Sequence, residues 1–181
     1  MKFFYVRLPF TYLLSFLCFP VLQSQTPRFA KYEVMNTGAA VYFPAEPVFE
    51  LSYSEDESEV YTAEITQGEN SYGTIIVNFA EELGENSGEW ESLLFSYMEF
   101  LNKSAFELVS VVDPGYGHTM ESHPEAKGIL EFGEDANGLR YVIKGWIDKN
   151  MLAVMFVYSV EEMNINLRNL FLDGFRFPLG K

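Results

Sequence analysis

The segment that most constrains the fold is residues 138–158, which predicts two long strands joined by a tight turn at Asp148-Lys149-Asn150. Apolar residues occupy alternate positions of the first strand, the period of two expected when one face of a strand is buried. The second strand, residues 151–158, is apolar almost throughout. Because a strand of this kind is usually covered on both faces, we expect further layers on both sides of the sheet.

The first 24 residues have the pattern of a secretory signal peptide. Lys2 and Arg7 precede an apolar run, and the segment ends at Ser24. A retained membrane anchor is the alternative, although Pro9 and Pro20 interrupt the apolar run. A lipid-anchored form would use Cys18, which is the one cysteine of the chain and would otherwise leave with the signal. We therefore expect a periplasmic or secreted protein without a disulfide, and no stable membrane span after cleavage.

The chain is strongly acidic, with a formal net charge of −14. Binding to nucleic acid or to an anionic membrane surface requires clustered Lys and Arg, so this charge argues against both. It does not identify a partner, because an acidic surface also serves solubility.

The rest of the chain predicts strands and two helices in one domain spanning residues 25–181. Apolar residues from Trp90 to Leu101 recur at helical spacing and predict a helix over residues 89–103, with Ser87 as its N-cap and with Phe95 and Phe100 broadening its buried stripe. Ser159 and Glu162 form a capping-box pattern that predicts the start of the last helix, which would stop at Gly174. Strands are predicted at residues 32–35, 40–43, 48–53, 59–67, 72–79, 106–112 and 126–132, besides the two of the first paragraph.

Short links between consecutive strands imply antiparallel neighbours. We therefore predict an α+β fold with a mainly antiparallel β-sheet and a helix packed on each face. The segment between the strands at 106–112 and 126–132 is expected to be an irregular loop.

This element order resembles the PsbP/DcrB/Mog-like superfamily. The resemblance rests on Tyr42-Phe43-Pro44 in an early strand, on the strand motif at 72–77 and on a last helix that runs into residues 171–177. It implies an α/β/α sandwich that serves for binding or assembly. The superfamily has no shared catalytic motif, so the resemblance implies no active residues in this chain.

A polar cluster at residues 113–125 is the candidate metal site. Imidazole and carboxylate side chains are the ligands that zinc or manganese binds, and the cluster contains His118, His123, Asp113, Glu121 and Glu125. The five-residue spacing of the histidines suits neither one face of a strand nor one turn of a helix. Only a folded-back loop would therefore bring them together.

Two aromatic residues are candidates for partner binding. Trp146 lies on the face of its strand opposite to Tyr141 and Ile143, so it is either an exposed anchor or part of the core beneath a second layer. Tyr116 lies within the polar cluster. A small-molecule pocket between the sheet and the predicted first helix is a further hypothesis, suggested by the aromatic residues Trp90, Phe95 and Tyr97.

The sequence thus favours an exported, non-catalytic accessory or binding module that docks to an envelope or secreted protein. The alternative is a metal-binding protein or a metal-dependent hydrolase centred on residues 113–125. The sequence identifies neither the partner nor the oligomeric state.

Overall fold

The computed structural model describes residues 28–178, except for the side chains of residues 113 and 114. The predicted signal peptide lies outside the described residues. The strands are β1 (Ala30–Glu33), β2 (Ala40–Phe43), β3 (Glu50–Tyr53), β4 (Glu59–Gln67), β5 (Asn70–Asn78), β6 (Leu108–Met120), β7 (His123–Asp135), β8 (Arg140–Ile147) and β9 (Met151–Ser159). The helices are α1 (Ser87–Ser104) and α2 (Ile165–Leu172).

Seven strands form one sheet in the order β3-β4-β5-β9-β8-β7-β6. Every neighbouring pair is antiparallel, which confirms the predicted α+β class and the mainly antiparallel sheet. The last strand, β9, lies between β5 and β8 and joins the two halves of the sheet. A separate ladder of β1 and β2 is tied to the end of the chain by reciprocal backbone hydrogen bonds between Ala40 and Arg176.

The turn between β8 and β9 forms where the sequence predicts it. The Asp148 carboxylate accepts hydrogen bonds from the backbone N–H groups of Asn150, at 2.8 Å, and Met151, at 2.7 Å. The turn between β7 and β8 contains Gly138 at a φ of 83°, a conformation that glycine adopts without strain. The Asp148 carboxylate and the glycine at position 138 therefore favour the two turns that flank β8.

The core consists of two hydrophobic clusters that share the central strands. One cluster joins Leu94 and Met98 of α1 to Ile129, Ile143 and Ile147 of the sheet. The other joins Phe171 of α2 and aromatic residues of β2 and β5 to Val142, Trp146 and Ala153. Residues 151–157 of β9 are all buried, as expected for a strand that is covered on both faces.

The structure corrects the predicted loop between β6 and β7. Residues 108–135 form a long hairpin, and β6 continues through Met120 with several shifts in register against β7. These bulges disturb the alternation of side chains, which is the signal from which a strand is predicted. The sequence of this hairpin therefore predicted an irregular loop in place of two strands.

The helix boundaries also differ from their predictions. Asn86 caps α1 in place of Ser87, and Phe100 is exposed instead of broadening the buried stripe. The last helix begins five residues later than predicted, with Asn164 as its N-cap, because Ser159 still belongs to β9. The Ser159 hydroxyl accepts a hydrogen bond from the Glu161 N–H at 3.1 Å, so it caps a turn and not a helix. Within residues 28–178, no helix is long and apolar enough to cross a membrane.

Replacing Gly73 by alanine tests how closely the sheet is packed. Gly73 pairs directly with Phe156, and a Cβ at Gly73 would overlap the Phe156 ring. We expect Gly73→Ala to lower the free energy of unfolding by about 1–3 kcal/mol, the usual cost of overpacking, in urea titration. Gly84→Ala is the control because nothing lies within 4 Å of a Cβ there. Equal stability of the two variants would contradict this packing.

Candidate functional site

The outer edge of β6 is the most exposed apolar feature of the sheet. β6 pairs with β7 on one side and is the last strand of the sheet on the other. Residues 108–112, which we call the edge segment, have the sequence Leu-Val-Ser-Val-Val. Val109 is 68% exposed and Val112 is 63% exposed, whereas an edge strand is usually protected by charge or by being short.

Residues beyond the edge segment limit how far another strand could pair with it. Pro114 has no backbone N–H, and the register against β7 shifts between Val112 and Gly115. The opposite edge of the sheet is β3, which has only 4 residues. The edge segment carries three exposed valines, Val109, Val111 and Val112, and its register against β7 also shifts once within it, between Leu108 and Ser110.

A groove runs along one side of the edge segment, beside α2. Its cavity of about 390 Å³ is bordered by Val112, Phe132 and Ile165 and by two arginines, Arg140 and Arg168. We call it the arginine groove. The Arg168 guanidinium lies over the Phe132 ring, 5.6 Å from the ring centroid, and Arg140 donates a hydrogen bond to the Val160 carbonyl at 3.0 Å.

A second groove lies on the other side of the edge segment, beside α1. This helix groove has a cavity of about 260 Å³ between Phe95 of α1 and Leu108 and Val111 of β6. Ser110 borders the arginine groove and Val111 borders the helix groove, as neighbouring residues of a strand should, while Val112 lies between the grooves and borders both. A strand that paired with the edge segment would direct alternate side chains into the two grooves.

The helix groove also contains a buried polar pair. The Asn102 side-chain amide donates a hydrogen bond to the Glu131 carboxylate at 2.8 Å, and the two residues are 6% and 1% exposed. The Asn102 side-chain oxygen has no hydrogen-bond partner among the described residues. Burial raises the pKa of Glu131, the hydrogen bond from Asn102 lowers it in part, and the charge of Glu99 raises it further.

The structure does not gather the predicted metal ligands into one site. His118 lies opposite Gly128 on the β6–β7 hairpin, whereas His123 contacts Asp148, with 3.1 Å between His123 Nε2 and Asp148 Oδ2. Within the described part of the chain, no three His, Cys, Asp or Glu side chains lie close enough to hold a metal ion. The side chain of Asp113 lies outside the described residues, and Glu121 and Glu125 are exposed. The metal site remains a prediction.

His118 lies in a charged environment that does not favour its protonated form. Burial lowers the pKa of His118, the nearby Lys144 ammonium lowers it further, and Asp173 partly opposes them. Lys144 is itself buried and forms an ion pair with Asp173 at 2.5 Å. This pair links β8 to the end of α2.

The two aromatic candidates for partner binding have different surroundings. Trp146 is 3% exposed, lies against Gly128 and has the Lys144 ammonium 4.7 Å from its ring centroid. Trp146 is therefore in the core and is not an exposed anchor for a partner. Tyr116 is exposed on β6 and contacts Phe95, so it extends the apolar surface near the helix groove.

The sequence did not indicate the edge segment or the two arginines of the arginine groove. The run of residues 108–112 is apolar without alternation, which indicates burial on both faces when the position of the strand in the sheet is unknown. The one available signal was Asp113-Pro114 directly after the run, because proline is typical of edge strands.

The chain matches no known protein-family model, and no curated protein matches it.

The pH dependence of stability tests the environment of Glu131. A raised pKa means that the folded state binds the proton more tightly than the unfolded state does. The free energy of unfolding should therefore fall as the pH rises from 4.5, the ordinary glutamate value, through the raised folded pKa. Glu131→Gln should lose this fall and be more stable than the wild type at neutral pH in urea titration. Glu134→Gln, an exposed glutamate of the same strand, should retain it. Parallel pH profiles of Glu131→Gln and the wild type would contradict the assignment.

Proposed function

We propose that this protein is an exported, non-catalytic binding module that holds an extended segment of another polypeptide against the edge segment of β6. The observation that carries the proposal is an exposed apolar strand edge with a groove on each of its faces. The backbone of a docked segment would continue the sheet by hydrogen bonding, and its alternate side chains would enter the two grooves.

The proposal includes the finer architecture that the sequence resemblance implies. We infer that α1 and α2 cover opposite faces of the sheet in a PsbP-like α/β/α sandwich. This inference is supported by the separate hydrophobic clusters to which the two helices contribute, and by the alternation of Val142 and Ile143 between those clusters. With both faces covered, an edge of the sheet is the main place left for a partner to add.

The occupant is another protein and not a second copy of this chain. The chain carries a net charge of −14, so like charge opposes close association of two copies. The edge segment itself has no charged residue, and the arginine groove brings two positive side chains beside it. An apolar or acidic segment of a different protein fits this surface better than a copy of the same acidic chain does.

Selection of peptides tests the proposal directly. Seven-residue peptides displayed on phage would be selected on the immobilised full chain, and their affinity would then be measured against variants. We expect the selected peptides to have apolar residues at alternate positions. Their affinity should be at least tenfold lower for Val112→Lys than for the wild type, because a lysine on a strand edge opposes pairing.

Val48→Lys is the matched control because Val48 is exposed and lies outside the edge segment and both grooves. Neither substitution should change the free energy of unfolding by more than about 0.5 kcal/mol. Selected peptides that bind Val112→Lys as tightly as the wild type would contradict the proposal. So would a dimer of the full chain that Val112→Lys dissociates in sedimentation experiments.

A further inference from the structure

Arg168 has an arrangement that leaves its charged end available. Its guanidinium lies over the Phe132 ring, and its Nε donates a hydrogen bond to the Asn169 side chain at 3.0 Å. Within residues 28–178, Arg168 forms no ion pair. A guanidinium that lies over an aromatic ring and is hydrogen-bonded through its Nε is already partly oriented, so less conformational entropy is lost when its terminal nitrogens bind an anion.

Arg140 brings a second unpaired cation to the same groove. One of its terminal nitrogens donates to the Val160 carbonyl, and Arg140 too forms no ion pair in the described part of the chain. By contrast, Lys103, Lys144 and Lys149 each contact a carboxylate. Within residues 28–178, the arginine groove is therefore bordered by two arginines that form no ion pair.

The arginine groove is reached from the edge segment by side chains of one face only. Val112 pairs with Phe132, and Ser110 pairs with Glu134, which in turn pairs with Arg140. A strand added to β6 would lie about 4.8 Å beyond it, and every second side chain would lean over this groove. A side chain that crossed Val112 would approach the Phe132 ring and the guanidinium of Arg168 that lies over it.

From these contacts we infer that the arginine groove selects docking segments that carry an aspartate or glutamate among their apolar residues. The inference rests on the proposed function, and it names the chemical class of the partner segment. The carboxylate would accept paired hydrogen bonds from the Arg168 terminal nitrogens, with the Arg140 charge nearby, while the apolar neighbours of the acidic residue would pack in the helix groove.

Two carboxylates of the protein limit where the acidic side chain can bind. Glu134 and Glu162 also border the arginine groove, although neither forms an ion pair with its arginines. They repel a second carboxylate placed beside them. We therefore expect an acidic residue at one position of the docking segment and not along its whole length.

The experiment compares peptide selections on the wild type and on the variant Arg140→Gln/Arg168→Gln. Displayed peptides have no free C-terminus near the binding sequence, so any preference for carboxylate comes from Asp or Glu side chains. The best wild-type sequence would then be synthesised with an amidated C-terminus, in one form with its acidic residue and in another with the corresponding amide. Thermal unfolding would verify that each protein variant is folded.

We expect selection on the wild type to enrich one acidic position, and selection on the double variant to retain the apolar pattern without it. The acidic peptide should bind the wild type about tenfold more tightly than its amide form, because a hydrogen-bonded charge contributes more than a neutral group. This difference should disappear in Arg168→Gln and shrink with added salt. Lys127→Gln, which removes a positive charge elsewhere on β7, should preserve it.

The peptide experiment distinguishes a failure of this inference from a failure of the proposed function. Peptides that require Val112 but show no acidic preference would overturn the selection of a carboxylate and leave strand addition intact. An acidic peptide that binds more tightly than its amide form to the same extent on Arg168→Gln as on the wild type would also overturn it. If no selected peptide depends on Val112, both proposals are wrong.

Discussion

The pairing of β9 with both β5 and β8 is the interaction on which the rest of the structure depends. Strands β3 to β5 come from the first half of the chain and β6 to β8 from the second, and within residues 28–178 the sheet has no other ladder between these halves. Residues 151–157 are buried throughout, so this pairing places apolar side chains in both hydrophobic clusters at once. β9 therefore stabilises the fold in two ways: by its backbone hydrogen bonds to β5 and β8, and by the apolar side chains that it buries on both faces.

Because the last strand is central, the two edges of the sheet are formed by other strands. One edge is β3, with 4 residues, and the other is β6, with 13 residues and exposed valines. Among the described residues, no strand pairs with the outer edge of β6. An apolar edge of this kind favours pairing with another chain, and proteins usually suppress it. Here Pro114 and the bulges restrict it to one short segment, which is consistent with a specific docking site.

The sequence predicted the central strands because their signals are local. Alternation in β8, the apolar run of β9 and the Asp148 turn each depend on neighbouring residues only. It did not predict that β9 pairs with β5, because that partnership links residues far apart in the chain. The β6–β7 hairpin was missed because bulges break the alternation. The arginine groove was missed because Arg140, Arg168 and Phe132 meet only after β7, β8 and α2 have packed together.

The most direct test of strand addition at β6 is hydrogen–deuterium exchange of the full chain, measured with and without a selected peptide. Backbone amides of an exposed edge exchange quickly unless they are hydrogen-bonded to an added strand. The account predicts that bound peptide slows exchange within residues 108–112 and leaves β3, the other edge, unchanged. Tight binding of the peptide without slower exchange in residues 108–112 would contradict it.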